Sequence, residues 1–222
     1  MNPIQIYESF IIKANKNAQT DNTAVDKGRF TKIYNEASNK FVEWTLDKKN
    51  GEDIKYIQEL LDTKNITETT VKSNYQLFTL PKDYFASSTL SAKATGGCCT
   101  NIDMEELFEI KSDNESILIS DSNTKPSIEY RGTIYYFQNN TVKIFTDDFK
   151  IDSIGLTYYK KPSYIFLVDE DDPESGFKEE AKHLNLSDKA IDRIVSIAVS
   201  DYDLNTGDPK YQADKMRVIS KS

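Results

Sequence analysis

The spacing of apolar residues changes twice along the chain, and each change marks a change of architecture. Ile4, Tyr7 and Phe10/Ile11 recur at helical intervals after Pro3, a residue that can open a helix without missing its amide. The polar stretch from Asn15 to Asn22 interrupts this pattern. From Lys27 to Asp47 the positions Phe30, Ile33/Tyr34, Ala37, Phe41 and Trp44 predict one long amphipathic helix. After Gly51, Ile54, Ile57 and Leu60/Leu61 predict a shorter helix, opened by Glu52 and Asp53 at the positive end of its dipole.

Near Thr63 the period shifts towards two, and Thr, Val, Tyr and Phe take over. Tyr75 to Leu80 reads as a strand closed by Pro81, which lacks a ladder donor and sets a turn into Asp83 and Tyr84. Residues 128–145 read as a hairpin about Asn139-Asn140, since asparagine tolerates the positive φ of a two-residue turn. Ile154, Leu156 and Tyr158 alternate along a further strand that stops before Pro162. Helical spacing returns at Ser187, a cap candidate with Leu186 and Ile191 placed as a hydrophobic staple. Ile191, Ile194/Val195, Ala198 and Tyr202 form its stripe, Gly207 stops it, and a last short helix is expected through Tyr211 and Met216.

The order helices, strands, helices predicts an α+β protein: a helical layer formed by the N- and C-terminal helices with an inserted antiparallel β module. The expected divisions are an N-terminal helical segment 1–63, a β module 64–168, an acidic loop 169–186 and C-terminal helices 187–222.

The 222 residues carry 36 acids against 28 bases, for a net charge of −8. That balance disfavours a protein that coats nucleic acid or anionic lipid. The acidity is local: residues 169–180 hold Asp169, Glu170, Asp171, Asp172, Glu174, Glu179 and Glu180 against Lys178 alone, −6 of the −8. The run reads as a solvated loop. The opposite sign collects at Lys210, Lys215, Arg217 and Lys221 in the C-terminal tail, and the two segments are candidate interface surfaces. No apolar run approaches the roughly 20 residues of a membrane span. No secretory pattern opens the chain, so synthesis in a cytosol is expected.

Catalytic patterns are thin. The single histidine, His183, has no nucleophile elbow to serve. Cys98-Cys99, after Gly96-Gly97, lacks both CxxC spacing and further ligands, and reads as a tight loop of small residues. An EF-hand begun at Asp171 would put Pro173, Ser175 and Lys182 where oxygen ligands belong. The aromatics of 130–164 read as sheet packing, because a base-stacking platform would interleave them with more bases. No enzyme and no cofactor is expected.

Four segments in order resemble the head-to-tail adaptor proteins of short-tailed bacteriophages, and most of all a tail ring protein of crAss-like phages. They are the helix from Phe30 through Trp44; the strand end Leu80-Pro81-Lys82-Asp83-Tyr84-Phe85; the strand Ile154-Gly155-Leu156-Thr157-Tyr158-Tyr159-Lys160-Lys161-Pro162; and the closing Leu186-Ser187-Asp188 with Ile191 to Ala198, then Gly207-Asp208-Pro209-Lys210-Tyr211-Gln212. The stretch from Ala86 to Lys125 falls outside the resemblance. Membership would imply a structural virion protein in the head-tail connector, assembled in the host cytoplasm. It would form a homo-oligomeric ring, usually dodecameric, between the portal and other tail ring or tail-tube proteins, with genomic DNA passing through the lumen. A lumen that must let DNA pass is compatible with an acidic chain. The alternative is a β-module protein that binds a surface or a carbohydrate, suggested by the many tyrosines and by Trp44.

Overall fold

A computed structural model describes residues 1–18, 25–47, 54–97, 99–111, 124–167 and 185–206. The protein is α+β and divides into two compact units, one of Met1–Leu60 with Lys161–Ser222 and one of Leu61–Lys160. The edges fall at Leu61 and Lys160, whereas the sequence pattern breaks at 63 and 168.

In the first unit, helices α1 (Pro3–Ala18), α2 (Lys27–Asp47) and α3 (Asp188–Thr206) pack together, the expected layer being a small cluster. Each starts on a polar cap. Asn2 Oδ1 accepts from the Gln5 amide at 2.8 Å while Gln5 Oε1 accepts from the Asn2 amide at 3.0 Å, a reciprocal capping box. Both Asp26 oxygens take helix-start amides, from Gly28 at 2.9 Å and Arg29 at 2.8 Å. Ser187 Oγ accepts from the Ala190 amide at 3.4 Å, as its position predicts, and the flanking Leu186 and Ile191 are both buried.

The buried arcs differ from the predicted stripes. On α1 the core residues are Ile6, Phe10 and Ala14, while Ile4 is exposed, and the helix continues through Asn15 to Ala18. On α2 the buried successor of Phe41 is Thr45, one turn on, and Trp44 is 50% exposed. Thr45 can occupy that place because its hydroxyl donates to the Phe41 carbonyl at 2.7 Å. Phe10 joins the helices, its ring 5.0 Å from Phe30 and 5.8 Å from Tyr202. Of the expected helix opened by Glu52 and Asp53, which lie outside the described residues, Ile54 is helical and Gln58–Leu60 forms a 3-10 turn before Leu61 begins a strand.

The second unit stacks two sheets, ordered β1-β9-β4-β5 and β2-β3-β8-β7-β6. The first joins β1 (Leu61–Ile66), β9 (Phe149–Lys160), β4 (Tyr84–Gly96) and β5 (Cys99–Asp103); the second joins β2 (Thr69–Val71), β3 (Tyr75–Thr79), β8 (Thr141–Phe145), β7 (Gly132–Gln138) and β6 (Glu106–Glu109). Phe78, Val142 and Ile144 of the second sheet share one core with Ala92, Ala94, Ile151, Ile154 and Leu156 of the first. Gln76, almost fully buried on β3, donates to the Ile151 carbonyl at 2.9 Å and accepts from the Ile151 amide at 2.5 Å. Its carboxamide thus completes a backbone pair across the sandwich.

The β7-β8 hairpin turns at Asn139, whose φ of 52° is the left-handed value its turn requires. The module is not wholly antiparallel: β6 pairs with β7 in parallel. The chain changes sheets just before it, where the Met104 amide still donates to Ala92 O at 2.9 Å and the Glu105 amide already donates to Arg131 O at 2.9 Å. The described part of the 86–125 stretch is filled by β4, β5 and β6. The β4-β5 turn uses Gly97 at a φ of 59°, and Cys99 opens β5 while Cys98 lies outside the described residues.

Phe30→Ala should cost about 3–5 kcal/mol in urea unfolding through the cavity it leaves, and Trp44→Ala no more than about 0.5 kcal/mol as a surface change. Gln76→Leu should cost about 2–5 kcal/mol in the same titration, since a buried amide and carbonyl of Ile151 lose their partner together. Among the described residues no hydrogen-bond partner is found for the buried Tyr34 hydroxyl, and burial pushes its pKa far up against a smaller opposing contribution from Ser38. Tyr34→Phe should therefore unfold no more easily than the parent at pH 7. A raised folded pKa means the protonated phenol is favoured by folding, so stability falls as pH rises past about 10, and this variant should show a shallower alkaline loss.

Candidate functional site

The proposed interface residues Asp169, Glu170, Asp171 and Asp172, and Lys210, Lys215, Arg217 and Lys221, lie outside the described residues, as does His183. The described residues include no cluster of three or more His, Cys, Asp or Glu side chains able to hold a metal ion. No helix among them is long and apolar enough to cross a membrane.

Within the described residues the segments that carry the resemblance take defined places, Gly207 to Gln212 lying outside them, and two of the segments meet. The Leu80-Pro81-Lys82-Asp83 segment is the turn from β3 into β4, closed by the Tyr84 amide donating to Pro81 O at 3.0 Å. Asp83 there accepts from the hydroxyl of Tyr158, on β9, at 3.0 Å. Lys64 on β1 approaches the same carboxylate at 3.7 Å, and Lys160 approaches Asp62 at 3.7 Å. Burial raises the Tyr158 pKa; Asp83 adds to the rise and Lys64 opposes it. Just past the strand segment, the Ser163 amide donates to Asn185 Oδ1 at 3.0 Å, one residue before the closing segment begins at Leu186. Residues 161–167 then run along α2. Asn35 donates to Ile165 O and accepts from the Ile165 amide, both at 3.0 Å, and the Leu167 amide reaches Thr31 Oγ1 at 3.3 Å. Ile165 and Leu167 are buried by this docking while Tyr164 and Phe166 are exposed.

The aromatic residues of the β module pack on one another, as the sequence suggests. Tyr84 stacks with Phe137, 5.8 Å away, and with Tyr158, 5.9 Å away, at interplanar angles of 24° and 27°, so its ring is engaged in packing within the module. Tyr135 meets Phe137 edge-on at 5.8 Å. On the other face of β8, buried Lys143 sits among Tyr75, Phe145 and Tyr136, its ammonium 4.2, 4.7 and 5.3 Å from the ring centres, and donates to Tyr136 Oη at 3.2 Å. Sequence reading missed this cage. Its signal was a lysine inside the apolar run Val142-Lys143-Ile144-Phe145, facing aromatics at alternate positions of the paired strands.

Large apolar side chains remain exposed in both units. They include Ile4, Ile12 and Trp44 in the helical unit, and Val71, Phe108 and Tyr130 in the β module, where Tyr130 is 78% exposed. No protein-family profile matches the chain, and no curated protein sequence matches it.

Tyr158→Phe should cost about 1–3 kcal/mol at pH 7, the range for a hydrogen bond to a charged partner. The parent's Tyr158 contribution is present below about pH 10 and is lost as pH rises, because its folded pKa is raised. The two unfolding curves should converge in alkaline buffer. Lys64→Met should change stability by well under about 1 kcal/mol, since its ion pair is exposed.

Proposed function

We propose that this chain is a structural, non-enzymatic subunit of a ring in the head-to-tail connector of a short-tailed phage. In this reading copies of the chain, twelve by the resemblance, stand between the portal and other tail ring or tail-tube proteins, assemble in the host cytoplasm, and leave a lumen through which genomic DNA passes without sequence-specific binding. The observation that carries it is the meeting of two resembling segments: Asp83 of the Leu80-Pro81 turn accepts from Tyr158 of the β9 segment. Segments that resemble one family in order and also fix one another in space support a shared framework better than scattered motifs do. The charge pattern supports it too, since a lumen lined by an acidic chain does not grip phosphate.

A second reading, a β-module protein that binds a surface or a carbohydrate, is favoured by the exposed Tyr130 and Phe108. It is disfavoured by the stacking of Tyr84 with Phe137 and Tyr158, which commits these aromatics to packing within the module.

Negative-stain electron microscopy of the purified chain, alone and with portal, tests the choice. Closed rings, or rings seated on portal, are expected; a monomer that binds neither itself nor portal but is retained on a glycan array would overturn the connector reading. Deletion of the residues after Gly207 should leave a folded protein that no longer joins a ring or portal, if the basic tail docks on assembly. A truncated chain that still assembles with portal attached would remove that role from the tail.

A further inference from the structure

The first sheet ends on β1, and among the described residues no strand lies beyond it. Leu61 is 41% exposed, and Thr63, Lys64 and Asn65 are exposed as well. The ladder fixes which peptide groups of this strand look outward. The Ala92 carbonyl turns to the β5 side, where it accepts from the Met104 amide at 2.9 Å. Peptide groups alternate along a strand, so those of Ser91 turn to β9 and meet Gly155, whose carbonyl also accepts from Ser91 Oγ at 3.2 Å. Gly155 and Thr157 therefore turn away from β1. Their partners Asn65 and Thr63 direct their own peptide groups outward, as does Leu61. The side chains agree: the Thr63 and Thr157 hydroxyls lie 3.2 Å apart, the close approach of a non-hydrogen-bonded pair. On the outer side the Thr63 amide donates to the Asp62 carboxylate at 2.9 Å.

This edge is complementary to itself. Asp62-Thr63-Lys64 reads acid, neutral, base, so a second copy turned about Thr63 presents the opposite charges. With Thr63 facing Thr63 of the second copy, Leu61 faces Asn65, and the outward groups of these residues can exchange hydrogen bonds. Between them Asp62 faces Lys64 on both sides of the axis, where cross-strand side chains come closest. A slip of one residue sets outward groups against inward ones. A slip of two sets Asp62 against Asp62 or Lys64 against Lys64, and like charges directly opposite are destabilising. We infer that two copies pair through β1 about a two-fold axis at Thr63, joining their four-stranded sheets edge to edge. In the single chain Asp62 and Lys64 hold only long, partly exposed pairs, with Lys160 and Asp83 at 3.7 Å each. On pairing, the Asp62 carboxylate leaves the Thr63 amide for Lys64 of the second copy, and that amide takes the facing Thr63 carbonyl. Without a matched partner the same carboxylate covers the edge amide, a guard against stray strands. A two-fold contact turns its copies opposite ways and cannot repeat around a ring whose copies point alike. The inference therefore concerns the chain outside any ring and does not rest on the connector reading.

Sedimentation velocity of the full-length chain at rising concentration should show a species of twice the chain mass. Asp62→Lys sets lysine against lysine across the axis, and Lys64→Asp sets aspartate against aspartate. Each variant alone should stay at the chain mass while melting close to the parent, since the ion pairs it loses are partly exposed. An equal mixture of the two restores opposite charges at every facing position and should recover the double-mass species. In a chain with Cys98→Ser and Cys99→Ser, Thr63→Cys should oxidise to a linked dimer and nothing larger. Facing α-carbons of a hydrogen-bonded antiparallel pair lie about 5.5 Å apart, within disulfide reach. A parent without the double-mass species, a charge variant that pairs alone as the parent does, or a mixture that fails to recover it would overturn the inference. Should a charge variant unfold, the Thr63→Cys chain decides, and its staying unlinked overturns the inference too. None of these outcomes touches the connector reading, which the portal experiment tests.

Discussion

Both units depend on a carboxamide that acts as a strand partner. Gln76 reaches from β3 to both peptide groups of Ile151 on β9, and Asn35 reaches from α2 to both peptide groups of Ile165. A carboxamide carries a donor and an acceptor at about the spacing of a peptide edge, so one side chain can satisfy both peptide groups of a residue where no strand bonds them. The alternative in each place is a buried amide and carbonyl left bare, which costs more than the pair contributes when formed. The penalty falls on misplacement: apolar surfaces tolerate sliding, and these bonds do not. Gln76 therefore sets how the two sheets of the sandwich register on their common core. Asn35 sets where the chain after β9 lies on α2, with Ile165 and Leu167 buried as a result.

Much of this was legible because it is local. The Ser187 cap, the Asn139 turn and the Pro81 break each depend on residues within a few positions, and they stand where the pattern puts them. What the sequence hid depends on partners far along the chain. Periodicity identifies the apolar positions of α2 but not the arc that its neighbours cover; Thr45 takes the buried place and Trp44 the outer one, which hydrophobicity alone would reverse. The parallel β6-β7 pair is invisible because a strand's residues do not announce its direction. Lys143 reads as a surface base until Tyr75 and Tyr136 are brought around it from two other strands. The caps at Asn2 and Asp26 were readable in principle, being the right residue types before helical runs. For the candidate interface, the charge pattern of 169–180 and 210–221 is a sequence property only.

The resembling segments gain a physical reason from their contacts. An aspartate at the end of a Leu-Pro turn is an ordinary solvated residue unless something answers it, and the Tyr158 hydroxyl does so from the adjacent strand. The turn and the strand then hold each other, since loss of either group strands the other at a half-buried edge. The same holds for Asn185, which takes the Ser163 amide just before α3 begins. Such pairs hold a frame in place, which is the support that the proposed mechanical role would need.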